Sequence, residues 1–342
     1  MSHLDGRQHG DVEGNPNVPA PLPYPRGWFC LSSTRELKAG AVATRRLAGE
    51  DVVLYRTRGG RVRAIRPHCP HLGAHLGHGG TVDGEYLVCP FHRFAYGVDG
   101  TCRRSPYGPH PPELSLTLLP VCEVNGMICV WYDETGAPPD WQLPELPKPG
   151  FSTPVQRTLQ ADTHPQEVAE NISDYGHMGP IHGFVDTKEL VTARTDGPVR
   201  TAKVRARRSL PLVGIVPVDY AVRQFGLGLV LAEAEIPALG VSMRMWVNPT
   251  PTGPWRTQFR VFVGCAITVP WAVPDRFRDP PLAVASHLLA RFGLTWLTHD
   301  VRKDITIWHN KRYLPHPRLQ RGDGPIGELR HWARQFYATA ER

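Results

Sequence analysis

No stretch of this chain of 342 residues is apolar for long enough to cross a bilayer as a helix. The longest apolar runs, around 226–232 and 261–272, are short and broken by Gly or Pro. Residues 1–23 lack the apolar core of a signal peptide and read as a polar, flexible leader. Paired cysteines are missing too. The seven, Cys30, Cys69, Cys89, Cys102, Cys122, Cys129 and Cys265, are odd in number and have no framework spacing, which suits a reducing cytoplasm. No GxGxxG fingerprint follows a strand, so the chain is not expected to hold NAD(P)H or flavin itself. The net charge is +7, but the arginines are scattered and not interleaved with aromatics, which argues against nucleic acid. A diffuse positive surface reads as solvation, with docking of an acidic electron-transfer protein as its one functional option.

What is present is enough for two domains, with an ordinary hydrophobic content of 41%. Short β-rich runs such as Asp51–Arg56 and Val62–Ile65, separated by Gly turns, predict a small antiparallel β domain over 24–133. Residues 134–150 are rich in Pro and Gly and read as a linker. Over 151–342 the pattern is α+β: a helix from Pro165 to His177, strands from about Val199 to Val269, a long helix over 281–311 and a last one over 326–339. Strands followed by a covering helix make an antiparallel sheet with helices on it, a reasonable shell for an apolar pocket.

Two half-sites punctuate the first domain, Cys69-Pro-His71 and Cys89-Pro-Phe-His92. Mixed Cys/His spacing also occurs in structural zinc sites. Here a Pro follows each Cys, and the stretch between carries five glycines, which lets backbone N–H groups approach the sulfides of a cluster. The spacing therefore predicts a 2Fe–2S cluster held by Cys69, His71, Cys89 and His92, its potential raised because two imidazoles replace two thiolates. A second constellation lies at Asn171, Asp174, His177 and His182. Asp174 and His177 would share one helix face, and Gly179 and Pro180 would break the helix so that His182 can return. Two imidazoles and one carboxylate suit a mononuclear Fe(II) with open positions for O2. Asp304, an acid among apolar residues, is the expected carboxylate, and Asp300, one turn earlier, is the alternative.

Through Cys69-Pro-His-Leu-Gly-Ala and Cys89-Pro-Phe-His the chain resembles the Rieske proteins, departing from them at Arg93 and Phe94. With the second constellation it resembles the oxygenase component of Rieske non-haem iron oxygenases. Gly27-Trp-Phe, Asp304-Ile-Thr-Ile-Trp-His-Asn-Lys and Asp323-Gly-Pro-Ile bring it near the cholesterol 7-desaturase and 3-ketosteroid 9α-hydroxylase group. That resemblance implies hydroxylation or desaturation of an apolar, sterol- or steroid-like substrate with O2. Electrons would come from a separate ferredoxin or flavin reductase, with NAD(P)H used only through it. It further implies a homotrimer in which Asp174 bridges His177 to His92 of a neighbouring copy. Asn171, one helical turn before Asp174, is expected either to line the iron pocket or to make a simple polar contact. Another apolar metabolite as substrate, or a pure electron carrier, are the competing readings.

Overall fold

The computed structural model describes residues 22–147, 150–210, 214–268 and 275–338, and the side chains of all of these except 210 and 275–280. Most of the expected leader, two linker residues (148 and 149) and the end of the expected last helix at 339 lie outside them.

Tight turns organise the first half. Its strands are β1 (Gly27–Ser33), β2 (Val42–Leu47), β3 (Glu50–Arg56), β4 (Val62–Ile65), β5 (Thr81–Asp83) and β6 (Tyr86–Val88). They continue as β7 (Ala95–Tyr96), β8 (Cys102–Arg104), β9 (Leu118–Leu119), β10 (Val121–Val124) and β11 (Met127–Tyr132). The pair Asn125-Gly126, at φ 53° and 81°, closes β10 on β11 in two residues, as Asn-Gly does where both positions need positive φ. Three antiparallel sheets result: β1-β11-β10, β2-β3-β4-β9 and β5-β6-β7-β8. The segment 134–147 is irregular but tied down. Trp28 Nε1 donates to the Trp141 carbonyl, Leu146 N–H to Asn125 Oδ1, and Leu146 is buried.

The second half begins with β12 (Val155–Ala161), α1 (Pro165–Ser173), α2 (Met178–His182) and β13 (Val185–Asp196). Then come β14 (Val199–Leu210), β15 (Gly214–Phe225), β16 (Leu229–Ile236), β17 (Val241–Gly253), β18 (Arg256–Ile267), α3 (Asp275–Trp308) and α4 (Ile326–Ala333). The seven strands form one antiparallel sheet in the order β12-β18-β17-β16-β15-β14-β13. Helix α3 covers it, with Trp308 stacked on Phe259 at 5.5 Å between ring centroids. A second core of Trp28, Trp131, Phe225, Trp246 and Phe262 joins the small β domain to the back of this sheet. The α+β reading therefore matches the architecture.

Several expected elements differ in extent. The helix over 165–177 stops at Ser173, because Asp174 is extended (φ −83°, ψ 95°) and the chain turns before α2. Gly179 and Pro180 lie inside α2 rather than breaking a helix, with Pro180 in its first turn where no intrahelical N–H is needed. Strand β13 was not expected. Helix α3 begins at 275 and ends at 308, and the last helix ends at 333 in a 3₁₀ turn over Arg334–Phe336. Among the described residues no helix is long and apolar enough to cross a membrane.

Candidate metal centres and chamber

The two cysteine loops repeat one backbone pattern. Cys69 N–H donates to the Ala74 carbonyl and Gly73 N–H back to that of Cys69, both at 2.9 Å. Cys89 N–H donates to the Phe94 carbonyl at 2.9 Å, and Arg93 N–H to that of Cys89 at 3.2 Å. The fifth residue of each loop takes positive φ, Gly73 at 74° and Arg93 at 60°. That conformation favours glycine, so Arg93 stands where a small residue is easier to place. Both cysteines are buried, and the His71 and His92 rings meet edge to face at 4.6 Å. The Tyr96 hydroxyl is 3.0 Å from Cys69 Sγ. Burial pushes the Cys89 thiol up, with the neighbouring Cys69 adding to it. His71 Nδ1 is buried without a hydrogen-bond partner. A buried polar atom left so is costly, and a cluster iron would satisfy it. The four residues named from the sequence thus lie on two matched loops, and their chemistry fits a 2Fe–2S cluster.

The second constellation gathers at the junction of α1, α2 and α3. His177, His182 and Asp304 each offer a ligand atom, all within 4.8 Å of one another. His182 Nε2 lies 3.1 Å and His177 Nε2 3.9 Å from Asp304 Oδ1, which is buried without a hydrogen-bond partner. The opposite nitrogens turn outward to other acceptors. His177 Nδ1 is 2.5 Å from the Asp174 carbonyl oxygen and 3.6 Å from its carboxylate. His182 Nδ1 is 3.9 Å from Asp300 Oδ1. The contact to Asp174 fixes which nitrogen of His177 faces a metal, whereas His182 Nδ1 is buried near Asp300 without a hydrogen-bond partner. Asn171 Nδ2 sits 3.3 Å from His177 Nε2, on the inward side. Asp174 caps α1, accepts the His177 N–H at 3.2 Å, and leaves 32% of its side chain exposed. Asp174 and His177 meet through this turn and not along one helix face.

Asp300 takes a different place from Asp304. One of its oxygens faces His182, and the other is held by Arg208. Burial alone would raise the Asp300 carboxyl, but the nearby His182 and the Arg208 guanidinium, which donates to it, outweigh burial and hold the group at about 2. Burial alone would lower His182, and the Asp300 and Asp304 carboxylates outweigh it, raising the imidazolium to about 9. Beside the three residues lies a chamber of about 220 Å³, walled by Val204, Val222, Val230, Val247 and Val301. Reasoning from sequence named neither Arg208 nor Tyr220 of its lining. Arg208 is one arginine in the Arg205-Ala-Arg-Arg run, and nothing local marks it off.

Residues 27–120 match the Rieske 2Fe–2S domain family, and residues 130–337 match the 3-ketosteroid 9α-hydroxylase C-terminal domain family. Among relatives, the cholesterol 7-desaturase of Xenopus laevis is 29% identical, over 92% of this chain and 72% of its own. A probable 3-ketosteroid-9-alpha-monooxygenase, oxygenase component, of Rhodococcus rhodochrous is 28% identical over 94% and 82%. The fold is similar to a dicamba monooxygenase bound to dicamba, with TM-score 0.63, 18% identity and coverage of 93% and 98%. A Pseudomonas putida NdmA variant with theobromine gives TM-score 0.65 at 17% identity, with coverage of 90% and 89%.

Proposed function

The chain belongs to the Rieske oxygenases, in the family of the 3-ketosteroid 9α-hydroxylases, and from that premise we propose that it is the terminal oxygenase for a sterol- or steroid-like substrate, which it hydroxylates or desaturates. The observation that carries this reading is the convergence of His177, His182 and Asp304 beside an apolar chamber. Relatives named for cholesterol and for 3-ketosteroids support the substrate class. A cluster at Cys69, His71, Cys89 and His92 would supply single electrons, and iron(II) at the second site would supply O2 activation. The chain's own residues do the rest. Asp174 holds the His177 imidazole by its outward nitrogen, the Asp300 carboxylate lies near that of His182, Asn171 faces the inward side, and the valine walls exclude water from the reacting C–H bond.

The reading includes an external ferredoxin or reductase as electron source. It also includes a trimer in which the cluster of one copy serves the iron of the next. Two observations support the latter: Asp174 is partly exposed while touching His177, and Leu72 and Phe91 beside the cluster histidines are 66% and 61% exposed. Purified protein should contain about three irons and two acid-labile sulfides per chain, two irons belonging to the cluster. His182→Ala should keep the cluster spectrum and lose O2-dependent turnover of the steroid. Two irons per chain, or undiminished turnover by His182→Ala, would rule the assignment out.

A further inference from the structure

The chamber beside the metal-facing residues does not end there. A second, of about 380 Å³, is lined by Ile236, Val241, Met243, Leu289, Phe292 and Trp296. Arg208, Tyr220, Met245, Leu297 and Asp300 line both and stand between them. In the outer chamber, Arg208, Tyr220 and Asp300 are the only charged or hydroxyl-bearing side chains among the described lining residues. An arginine in such surroundings is costly unless its charge is paired and its donors are used.

The charge is paired by Asp300. The guanidinium is also clamped, with its carbon 4.6 Å from the centre of the Phe184 ring and 4.7 Å from that of Trp296. Two aromatic contacts and a carboxylate leave little room to swing, so Arg208 is a fixed donor and not a moving gate. A guanidinium carries five N–H donors. Asp300 takes one of them, and the Arg208 side chain lines both chambers where they adjoin.

We propose that the two chambers together hold one elongated apolar molecule, and that Arg208 selects it by donating to a keto or hydroxyl oxygen at the neck. The proposal rests on the oxygenase reading for the inner end and adds the residue that decides which molecules enter. A hydrocarbon without that oxygen would cover the Arg208 donors and give nothing back, so the site rejects it. Because Asp300 lies between Arg208 and His182, the anchor also fixes how far the oxygen sits from the iron ligands.

The test is binding to the iron-loaded protein without O2, read by quenching of tryptophan fluorescence, since Trp296 lines the outer chamber. The probes are androstane, a hydrocarbon without oxygen, and its mono-ketones with oxygen on the first, a middle or the last ring. At least one ketone should bind about tenfold more tightly than androstane, the scale of a hydrogen bond to a charged group. Arg208→Met should erase that preference by removing the donors that androstane leaves covered, so that androstane binds more tightly than to wild type, and Arg208→Lys should keep part of the preference. Met243→Trp, which fills the outer chamber away from Arg208, should weaken every probe. The proposal fails if no probe binds wild type, if Arg208→Met keeps the ketone preference, or if Met243→Trp binds all probes normally. Turnover with a reductase separates the two readings. Ketone-selective binding without oxidation would uphold the anchor and count against the steroid oxygenase, whereas oxidation without ketone preference would do the reverse.

Discussion

His182 stands between two carboxylates, with Asp304 on its inward nitrogen and Asp300 on its outward one. In the metal-free protein this holds the imidazolium up to about 9 against an ordinary 6.5. The sign of the consequence follows. A group whose pKa is raised by folding contributes stability that is fully present below the unfolded value and lost as pH rises through the folded one. Metal-free protein should therefore lose thermal stability between pH 6.5 and about 9. A bound metal takes the place of the proton, so iron-loaded protein should lack that slope. Paired melting curves of the two forms across this range test it; a flat profile for the metal-free protein would show that His182 is not held charged. The two histidines could be found from sequence because their ligand types and spacing carry the signal. Arg208 and Asp300 could not be paired that way. Their contact joins a strand to a helix across 92 residues, and no local pattern encodes it.

At the scale of elements, the site depends on where one helix stops. Helix α1 ends at Ser173 with no basic residue in its last turn, and Asp174 takes the first non-helical position. The Asp–x–x–His spacing is compatible with a helix face as well as with a capping turn, so sequence alone did not separate the two. Strand β13 escaped for another reason. Nearly all of it is exposed at the sheet edge, so it has no alternation to read. The β15–β16 hairpin carries a sharper constraint. Its turn residue Gly228 presses on β1 so closely that an added Cβ would lie 2.2 Å from the Trp28 carbonyl oxygen and 2.7 Å from Phe29. The first contact is backbone and cannot step aside as a side-chain tip would. Gly228→Ala should therefore cost about 1–3 kcal/mol, the range for overpacking a tight site. Calorimetry should find the melting temperature lowered by several degrees while the cluster absorbance at room temperature is kept. A melting temperature equal to wild type would mean that the hairpin does not bear on β1 this way.

For the whole molecule the question is where an electron leaves one site and reaches the other. The cluster histidines sit at a surface that also exposes Leu72, Phe91 and Tyr107, the last at 67%. The other site offers Asp174, which touches His177 and is reachable from outside. An apolar rim around one and a partly open carboxylate at the other fit a contact between copies, in which Asp174 accepts a hydrogen bond from His92 of the neighbour. Complementation tests this directly. Cys89→Ala removes a cluster ligand, and His182→Ala removes an iron ligand; each alone should be inactive. Co-expressed, they should recover activity, because a His182→Ala copy still presents a cluster to the iron of a Cys89→Ala copy. Adding Asp174→Asn to the Cys89→Ala copy should then remove most of the recovered turnover, since that copy supplies the working iron and the bridging acid. Adding it to the His182→Ala copy should matter little, because the acid on that copy bridges to no working iron. If the co-expressed pair stays as inactive as its parts, each copy feeds its own iron, and the exposed rim is left to the external electron donor.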